Sequence, residues 1–521
     1  MTLARTYTLV GSATLASRLT GFVRDILIAA VLGSSAVADA YIAAFLLPNL
    51  FRRVLSEGAF NAAFIPIYAR RKAEEGEESV TAFIEQALSS LVGLVLLLLI
   101  AAELAMPLVI GGLAPGFRTD PLKVEQAVMF GRIAFVFVAA IIVVALLSSV
   151  LNAMGRYALV ALSPLILNAM LIGTLVVLLG LGWRGEYRAG LALVVTVLAA
   201  GVVQLVYVAR GVRRAGLSLH LRMPRPDRDV RRLLLLMLPG LVLAGAGHVN
   251  MVVAAQLSSG MPSAVSWLYY ADRIFQLPLG FVAAAIGTVL LPEVARAYRG
   301  QDPRGAEAAG NRALEFGMLL VLPAAAALFV LAEPIVDIIY RRGAFTALDS
   351  AATADVLRAL ALGLPAFVLV KVFLPPFLAR ERFGWPIAAA LAGVIVNIAT
   401  TLLLINRHAH IAAPAGVALG ALINAVVLGA GLARGGMFRV DTTARRTLPR
   451  ILASAVLTGL CTAGLARLAM PLLAADMSSA VRVASLGGLC VAGVVFHGLA
   501  AHLLGAATLS SLHRFIRKPA A

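Results

Sequence analysis

The 521 residues are 61% hydrophobic and only 13% charged, with mean hydropathy +0.94, whereas a soluble domain is about half apolar and about a quarter charged. A soluble fold is excluded, and so is a membrane β-barrel: runs such as SSLVGLVLLLLIAAELAMPLVIGGL cross a core of about 30 Å as helices at about 1.5 Å per residue, not as short alternating strands. The net charge of +18 falls in short loops between apolar spans, so it reads as membrane topology and no nucleic-acid partner is expected.

The first apolar span begins directly at the N-terminus with no short apolar core ahead of a small-residue cleavage site, so no removable signal peptide is expected. Apolar runs between polar breaks predict an all-α integral membrane protein of about fourteen helical spans. They fall at about 5–32, 37–69, 80–109, 124–153, 158–182, 188–211, 230–258, 263–297, 306–338, 348–379, 385–405, 411–433, 448–472 and 478–511. One set of loops carries Arg70, Arg71, Lys72, Arg156, the basic run 209–232, Arg380, Arg382 and the arginines from 434 to 450. The opposite set carries Arg118, Lys123, Arg184, Arg188, Arg341, Arg342 and Arg407. Positive-inside bias places the first set, and both termini, in the cytoplasm.

An internal repeat emerges from this order. LPNLFRRVLSEGAFNAAFIPIYAR at 47–70 resembles LPLGFVAAAIGTVLLPEVAR at 277–296. GRYALVALSPLILNAMLIGTLVVL at 155–178 resembles RFGWPIAAALAGVIVNIATTLLL at 382–404, with Asn168 and Asn397 in comparable places. Six spans are repeated in the same orientation, which predicts a six-helix lobe at 1–215 and a basic cytoplasmic linker at 216–229. A second six-helix lobe follows at 230–437, and two extra helices at 438–521 stand outside the repeat. Two such halves make transporter architecture, with the site where they face each other.

The stretch from Ser17 to Arg71 places Arg18, Arg24, Asp25, Asp39, Arg52, Arg53 and Glu57 inside otherwise apolar spans. An arginine at a bilayer centre costs about 2.5–3.5 kcal/mol, so these four place on the order of 10 kcal/mol at stake unless they face a cavity or a partner. Counted from the neighbouring turns, Arg24 and Arg273 both lie about 15 Å deep, and Arg18, Arg52 and Arg53 about 24–28 Å deep. Asn49, Arg53, Glu57 and Asn61 recur every four residues as a polar stripe, with Glu57 placed to pair with Arg53. Structural pairing is the competing reading, Arg18 with Asp25 and Arg273 with Asp272. The carboxylates are fewer than the arginines, and the excess positive charge calls for an anion. A phosphate or pyrophosphate suits the planar, bidentate guanidinium.

Other chemistry finds less support. No phosphate-cradling G-x-x-x-x-G-K-S/T occurs, so ATP hydrolysis is not expected. The seven histidines and two cysteines are scattered, so neither zinc nor another cofactor is expected. Glu103, Glu315, Glu333 and Asp337 read as interfacial or helix-end groups, with cation binding as the alternative. Lys371, in VKVFLPPF, is a single cation beside two prolines that either lines a cavity of the second half or does not.

SRLTGFVRD at 17–25, DAYIAAFLLPN at 39–49, RRVLSEGAFNAAFIP at 52–66 and SWLYYADRIFQLPLG at 266–280 resemble the MurJ (MviN) lipid II flippases of bacterial inner membranes. The resemblance runs from the first span to the last. It implies the multidrug/oligosaccharidyl-lipid/polysaccharide exporter fold, in which two six-helix lobes alternate access and two extra C-terminal helices form a groove for the lipid tail. It also implies roles for Arg18, Arg24, Arg52, Arg53 and Arg273 as the substrate's anion site, with Asp39 the periplasmic-end aspartate, Glu57 the second-span glutamate and Lys371 a cavity lysine. Some members hold sodium through an acidic residue in the seventh span. LVLAGAGHVNMVVAAQ offers only His248 and Asn250 there, so sodium coupling is not carried over.

The expected function is therefore translocation of undecaprenyl-pyrophosphate disaccharide-pentapeptide, lipid II, for peptidoglycan synthesis in the inner membrane. Membrane lipids and other cell-wall synthesis proteins are the expected partners. The rivals are a MATE-like exporter of small molecules, a flippase of another polyprenyl-pyrophosphate glycolipid, and an enzyme acting on the same lipid. The enzyme would need a positioned acid or base, and Asp39 and Glu57 have no second carboxylate at helical spacing. If the halves rock, the turn 33–37 must meet its counterpart near 258–263 when the cavity faces the cytoplasm.

Overall fold

A computed structural model describes residues 3–54, 60–224, 227–299, 302–380 and 382–506, and among them every regular element is helical. The helices are α1 (Leu3–Leu32), α2 (Ala36–Val54), α3 (Phe60–Glu74), α4 (Gly76–Leu113), α5 (Pro121–Ala153), α6 (Tyr157–Gly180), α7 (Tyr187–Arg214), α8 (Arg228–Ser258) and α9 (Ala264–Arg299). They continue as α10 (Pro303–Val330), α11 (Ala332–Tyr340), α12 (Ala347–Phe373), α13 (Pro375–Ala379), α14 (Gly384–His408), α15 (Ala412–Arg434), α16 (Thr442–Leu468), α17 (Met470–Leu473) and α18 (Ser479–Leu503). Among the described residues nine stretches are long and apolar enough to cross a membrane, one of them, Gly384–Arg434, holding both α14 and α15. Helix α1 does not meet that test because Arg18, Arg24 and Asp25 interrupt it.

Local signals fix where these helices start. Asp120 precedes Pro121 and accepts from the Lys123 N–H at 3.1 Å, Asp227 accepts from Val230 at 2.8 Å, and Asp441 accepts from Ala444 at 2.7 Å. Each satisfies an N–H that has no partner within its helix. Thr346 and Asp349 close a reciprocal capping box at the start of α12.

The chain forms two compact units, residues 1–266 with 342–345, and residues 267–341 with 346–521. In the first, α1 lies against α6, α5 is flanked by α2, α4 and α7, and α8 packs on α2, α3 and α4. Its core gathers Phe60, Phe64, Tyr68 and Phe83, with the Phe64 and Phe83 rings stacked 5.6 Å apart. A tight approach joins residues distant in sequence: the Ala344 N–H donates to the Ala30 carbonyl at 2.8 Å. Gly33 and Gly343 flank this bond with φ of 61° and 60°. A Cβ on Gly33 would stand 2.5 Å from the Ala344 oxygen and one on Gly343 2.2 Å from the Ala30 oxygen, so both the conformation and the space call for glycine.

In the second unit α12 packs on α10 and α15, α14 on α15, and α16 between α10 and α18. Gly393 and Gly420 let α14 and α15 approach until backbone meets backbone, the small-residue contact that membrane helices use. Asn397, fully buried on α14, accepts from the Thr401 hydroxyl at 3.3 Å. Exposed apolar side chains such as Leu104, Leu108, Leu403 and Leu460 clothe both units, as lipid-facing surfaces require.

Candidate functional site

Arg24 occupies the face of α1 that packs on α6, with only 13% of its side chain exposed. Its Nε and one terminal nitrogen donate to Asp25 Oδ1 at 3.0 and 2.7 Å, and the other terminal nitrogen donates to Asn168 Oδ1 at 3.0 Å. The Asn168 amide in turn donates to the Ser17 carbonyl at 3.0 Å and to Thr20 Oγ1 at 3.1 Å. These donors and acceptors fix the amide's orientation and tie α6 to α1 on either side of the guanidinium. Gly21 lies beside it, and a Cβ there would make an ordinary contact 3.6 Å from the Asn168 nitrogen. The sequence marked Asn168 as a repeat position; its part in holding Arg24 is read only from the structure.

The other expected site residues are spread more widely. Arg18 is exposed on α1. Arg52 donates to Asn49 at 3.4 Å, and Asn61 accepts from Asn152 of α5 at 3.3 Å. The Arg53 and His248 side chains and all of Glu57 lie outside the described residues, and with them the Arg53–Glu57 pair. In the second unit the Arg273 guanidinium stands 4.5 Å from the Tyr269 ring centre, a cation–π distance. Asp272, beside it, is buried and accepts from Gln276. Lys371 is exposed on α12. Of the paired alternatives weighed for α1, the carboxylate of Asp25 goes to Arg24.

Asp39 makes a second polar centre in the first unit, with none of its side chain exposed. Its carboxylate accepts from Lys123 Nζ at 2.6 Å, from the backbone of Ser263 and of Ser266 at 3.0 Å each, and from the Ser266 hydroxyl at 2.5 Å. A carboxylate on α2 thus caps the first turn of α9, where the helix dipole favours negative charge. Ser263 holds φ 65°, and its hydroxyl donates to the Ser34 carbonyl at 2.6 Å. The turns 33–37 and 258–263 therefore touch. Nearby, Gly116 donates to Ser259 Oγ at 2.9 Å and comes so close to Gly260 that a Cβ would overlap its backbone. Lys123 was read only as a loop charge, yet it sits in the first turn of α5, where a cation opposes the helix dipole. That misfit was the available signal for a buried partner.

Glu103 departs from its expected interfacial place. It lies inside α4 about ten residues, or about 15 Å, from the end at Leu113 and faces Arg132 of α5 at 3.9 Å. Among the described residues no group of three or more His, Cys, Asp or Glu lies together to hold a metal.

A family profile described as lipid II flippase MurJ matches residues 28–478. A relative in Rhizobium meliloti (strain 1021), named probable lipid II flippase MurJ, is 40% identical over 100% of this chain and 97% of its own. Among solved structures the chain is similar to one described as lipid II flippase MurJ in an inward closed conformation, with TM-score 0.77 at 20% identity over 95% of this chain and 98% of that one. It is also similar to an inward-facing multidrug resistance MATE family transporter of the MOP superfamily, with TM-score 0.63 at 17% identity over 82% of this chain and 97% of that one. With the whole length aligned to one set of relatives and the fold shared with that set, the chain belongs to the lipid II flippase MurJ family.

Proposed function

We propose that this chain moves lipid II, chemically unchanged, from the cytoplasmic to the periplasmic leaflet of a bacterial inner membrane by alternating access between two six-helix lobes. In this reading fourteen spans keep both termini cytoplasmic, the lobes are 1–215 and 230–437, and the helices beyond 438 guide the lipid tail. The observation that carries the reading is Arg24: a guanidinium in an apolar span, oriented by Asp25 and Asn168, suits the pyrophosphate of a polyprenyl-linked sugar. Arg18, Arg52, Arg53 and Arg273 add positive charge for the same anion, while Asn49, Glu57, Asn61 and Lys371 line the path of the head group. Asp39 closes the periplasmic end through Ser263 and Ser266. Anionic carriers of other sugars share the pyrophosphate, so the head group distinguishes them.

The test is delivery of lipid II to the outer leaflet of vesicles holding the purified protein. A charge-assisted hydrogen bond contributes about 1.5–3 kcal/mol, so Arg24→Ala should slow delivery by about ten- to a hundredfold. Arg24→Lys should recover little, because an ammonium lacks the bidentate fork. Wild-type delivery by Arg24→Ala would overturn the anion site, and delivery of altered lipid II would overturn transport without chemistry.

A further inference from the structure

The segment between α7 and α8 lies along α4 in a defined register. The His220 N–H donates to the buried Glu85 carboxylate at 3.0 Å, and the Arg222 N–H donates to Ser89 Oγ at 3.0 Å. Pro224 then rests on Gly93, whose missing Cβ would stand 3.5 Å from the proline ring. Every second residue of the segment meets every fourth residue of α4. Two extended residues advance about 6.6 Å and four helical residues about 6 Å, so the two chains stay in step. Side chains strengthen the first anchor, with Arg222 Nε 2.7 Å and His220 Nδ1 3.2 Å from Glu85 oxygens.

Leu221 and Met223 lie between these anchor points and are 66% and 80% exposed. Helix α4 also serves as a ruler. It shows no exposed residue from Val80 to Gly93, and its exposed apolar residues begin at Leu94 and continue through Leu97, Ile100, Leu104 and Leu108. From Leu94 to Leu113 is about 20 residues, about 30 Å, the thickness of a hydrocarbon core. Pro224 therefore sits at the edge of the hydrocarbon, Arg222 about 6 Å outside it, within the head-group layer, and His220 about 12 Å outside, on the aqueous side of that layer. The charge balance agrees. Arg213, Arg214, Arg228 and Arg231 around the segment are exposed, while Asp227 and Asp229 are already paired with Arg71 and Arg70.

We infer that residues 217–224 form a strap that binds anionic phospholipid at the outer wall of the first unit. Arg222 and the flanking Arg213, Arg214, Arg228 and Arg231 hold head-group phosphates, and Met223 enters the edge of the acyl region. This surface is separate from the Arg24 site and does not depend on which lipid-linked sugar is carried. Each basic residue near an anionic leaflet raises affinity about fivefold.

The test uses the full chain with Cys461→Ser, Cys490→Ser and Met223→Cys, the last carrying a fluorophore, in lipid nanodiscs. Nitroxide is placed on the upper acyl chain of either phosphatidylglycerol or phosphatidylcholine at the same mole fraction. The phosphatidylglycerol probe should quench several-fold more, and a nitroxide near the chain end should quench less than one near the glycerol. Arg213→Gln with Arg214→Gln and Arg228→Gln, which leaves the Glu85 anchor intact, should abolish most of the preference, as should high salt. Equal quenching by the two lipids, or quenching only by a water-soluble agent, would overturn the proposal.

Discussion

Replacing Lys123 with methionine would remove the counter-charge of Asp39 while keeping the length of the side chain. Both groups are sheltered, with 8% of the lysine and none of the aspartate side chain exposed, so solvent screens the loss little. Breaking a buried pair from one side costs about 3–5 kcal/mol. Asp39 would retain its donors from Ser263 and Ser266, each charge-assisted bond being worth about 1.5–3 kcal/mol, so Lys123→Met should fall near 3 kcal/mol. Asp39→Asn should fall near 5 kcal/mol, because it strands the ammonium and turns one acceptor oxygen into a donor facing other donors. The double variant strands no charge, so it should cost at least about 1.5 kcal/mol less than the sum of the two. Unfolding of the purified protein in mixed micelles with rising sodium dodecyl sulfate reads all four corners of this cycle. Costs below about 1 kcal/mol for both single variants, or additivity within about 0.5 kcal/mol, would refute the reasoning.

Two further expectations rest on separate contacts. Asp229, ahead of the apolar run of α8, is pushed up by burial, but the hydrogen bonds and charges of Arg71 and then Arg70 outweigh this and hold its carboxyl below the usual range. Its contribution is complete above the unfolded value of about 3.9 and is lost as pH falls through the lower folded value. Asp229→Asn should therefore lower the melting temperature equally at neutral pH and at about pH 5, and the gap to wild type should close below about pH 4; a gap that stays constant into stronger acid would refute the pairing. With Cys461 and Cys490 replaced by serine, cysteines at Ser34 and Ser263, whose side chain and backbone touch at 2.6 Å, should cross-link under oxidant and halt lipid II delivery reversibly. Delivery that continues through the cross-linked protein would refute closure at this turn.

The helices were legible because apolar runs must bury or meet lipid, and arginines inside such runs stand out for the same reason. Their partners were not legible. Arg24 meets Asn168 across 144 residues, and Asp39 meets Lys123 across 84, and one sequence holds no record of such pairings. Asp25 was weighed against Arg18 on the strength of a shared helix face, yet it holds its immediate neighbour Arg24, whose long side chain folds back to reach it. The basic run 209–232 was read as topology alone. Its register on α4 was hidden, because Glu85, Ser89 and Gly93 at four-residue spacing look ordinary within a helix. Glu103 misled for a related reason: a carboxylate in a long apolar helix reads as an end group until α5 brings Arg132 beside it.

The cap that Asp39 places on α9 has a consequence for hydration. The amides of Ser263 and Ser266 end on a carboxylate from a different helix, so drawing α2 away from that turn leaves amide donors, a hydroxyl and a carboxylate with nothing to meet. Stranded buried polar groups of this kind are satisfied by water, each molecule making about three hydrogen bonds. The two sides of this turn therefore cannot part dry: several waters must enter as they separate, and they must leave again before the turn can re-form. Excluded osmolytes, which favour burial, should hold the turn together, so the water activity of the surrounding solution would weigh on any separation of the two sides of this turn.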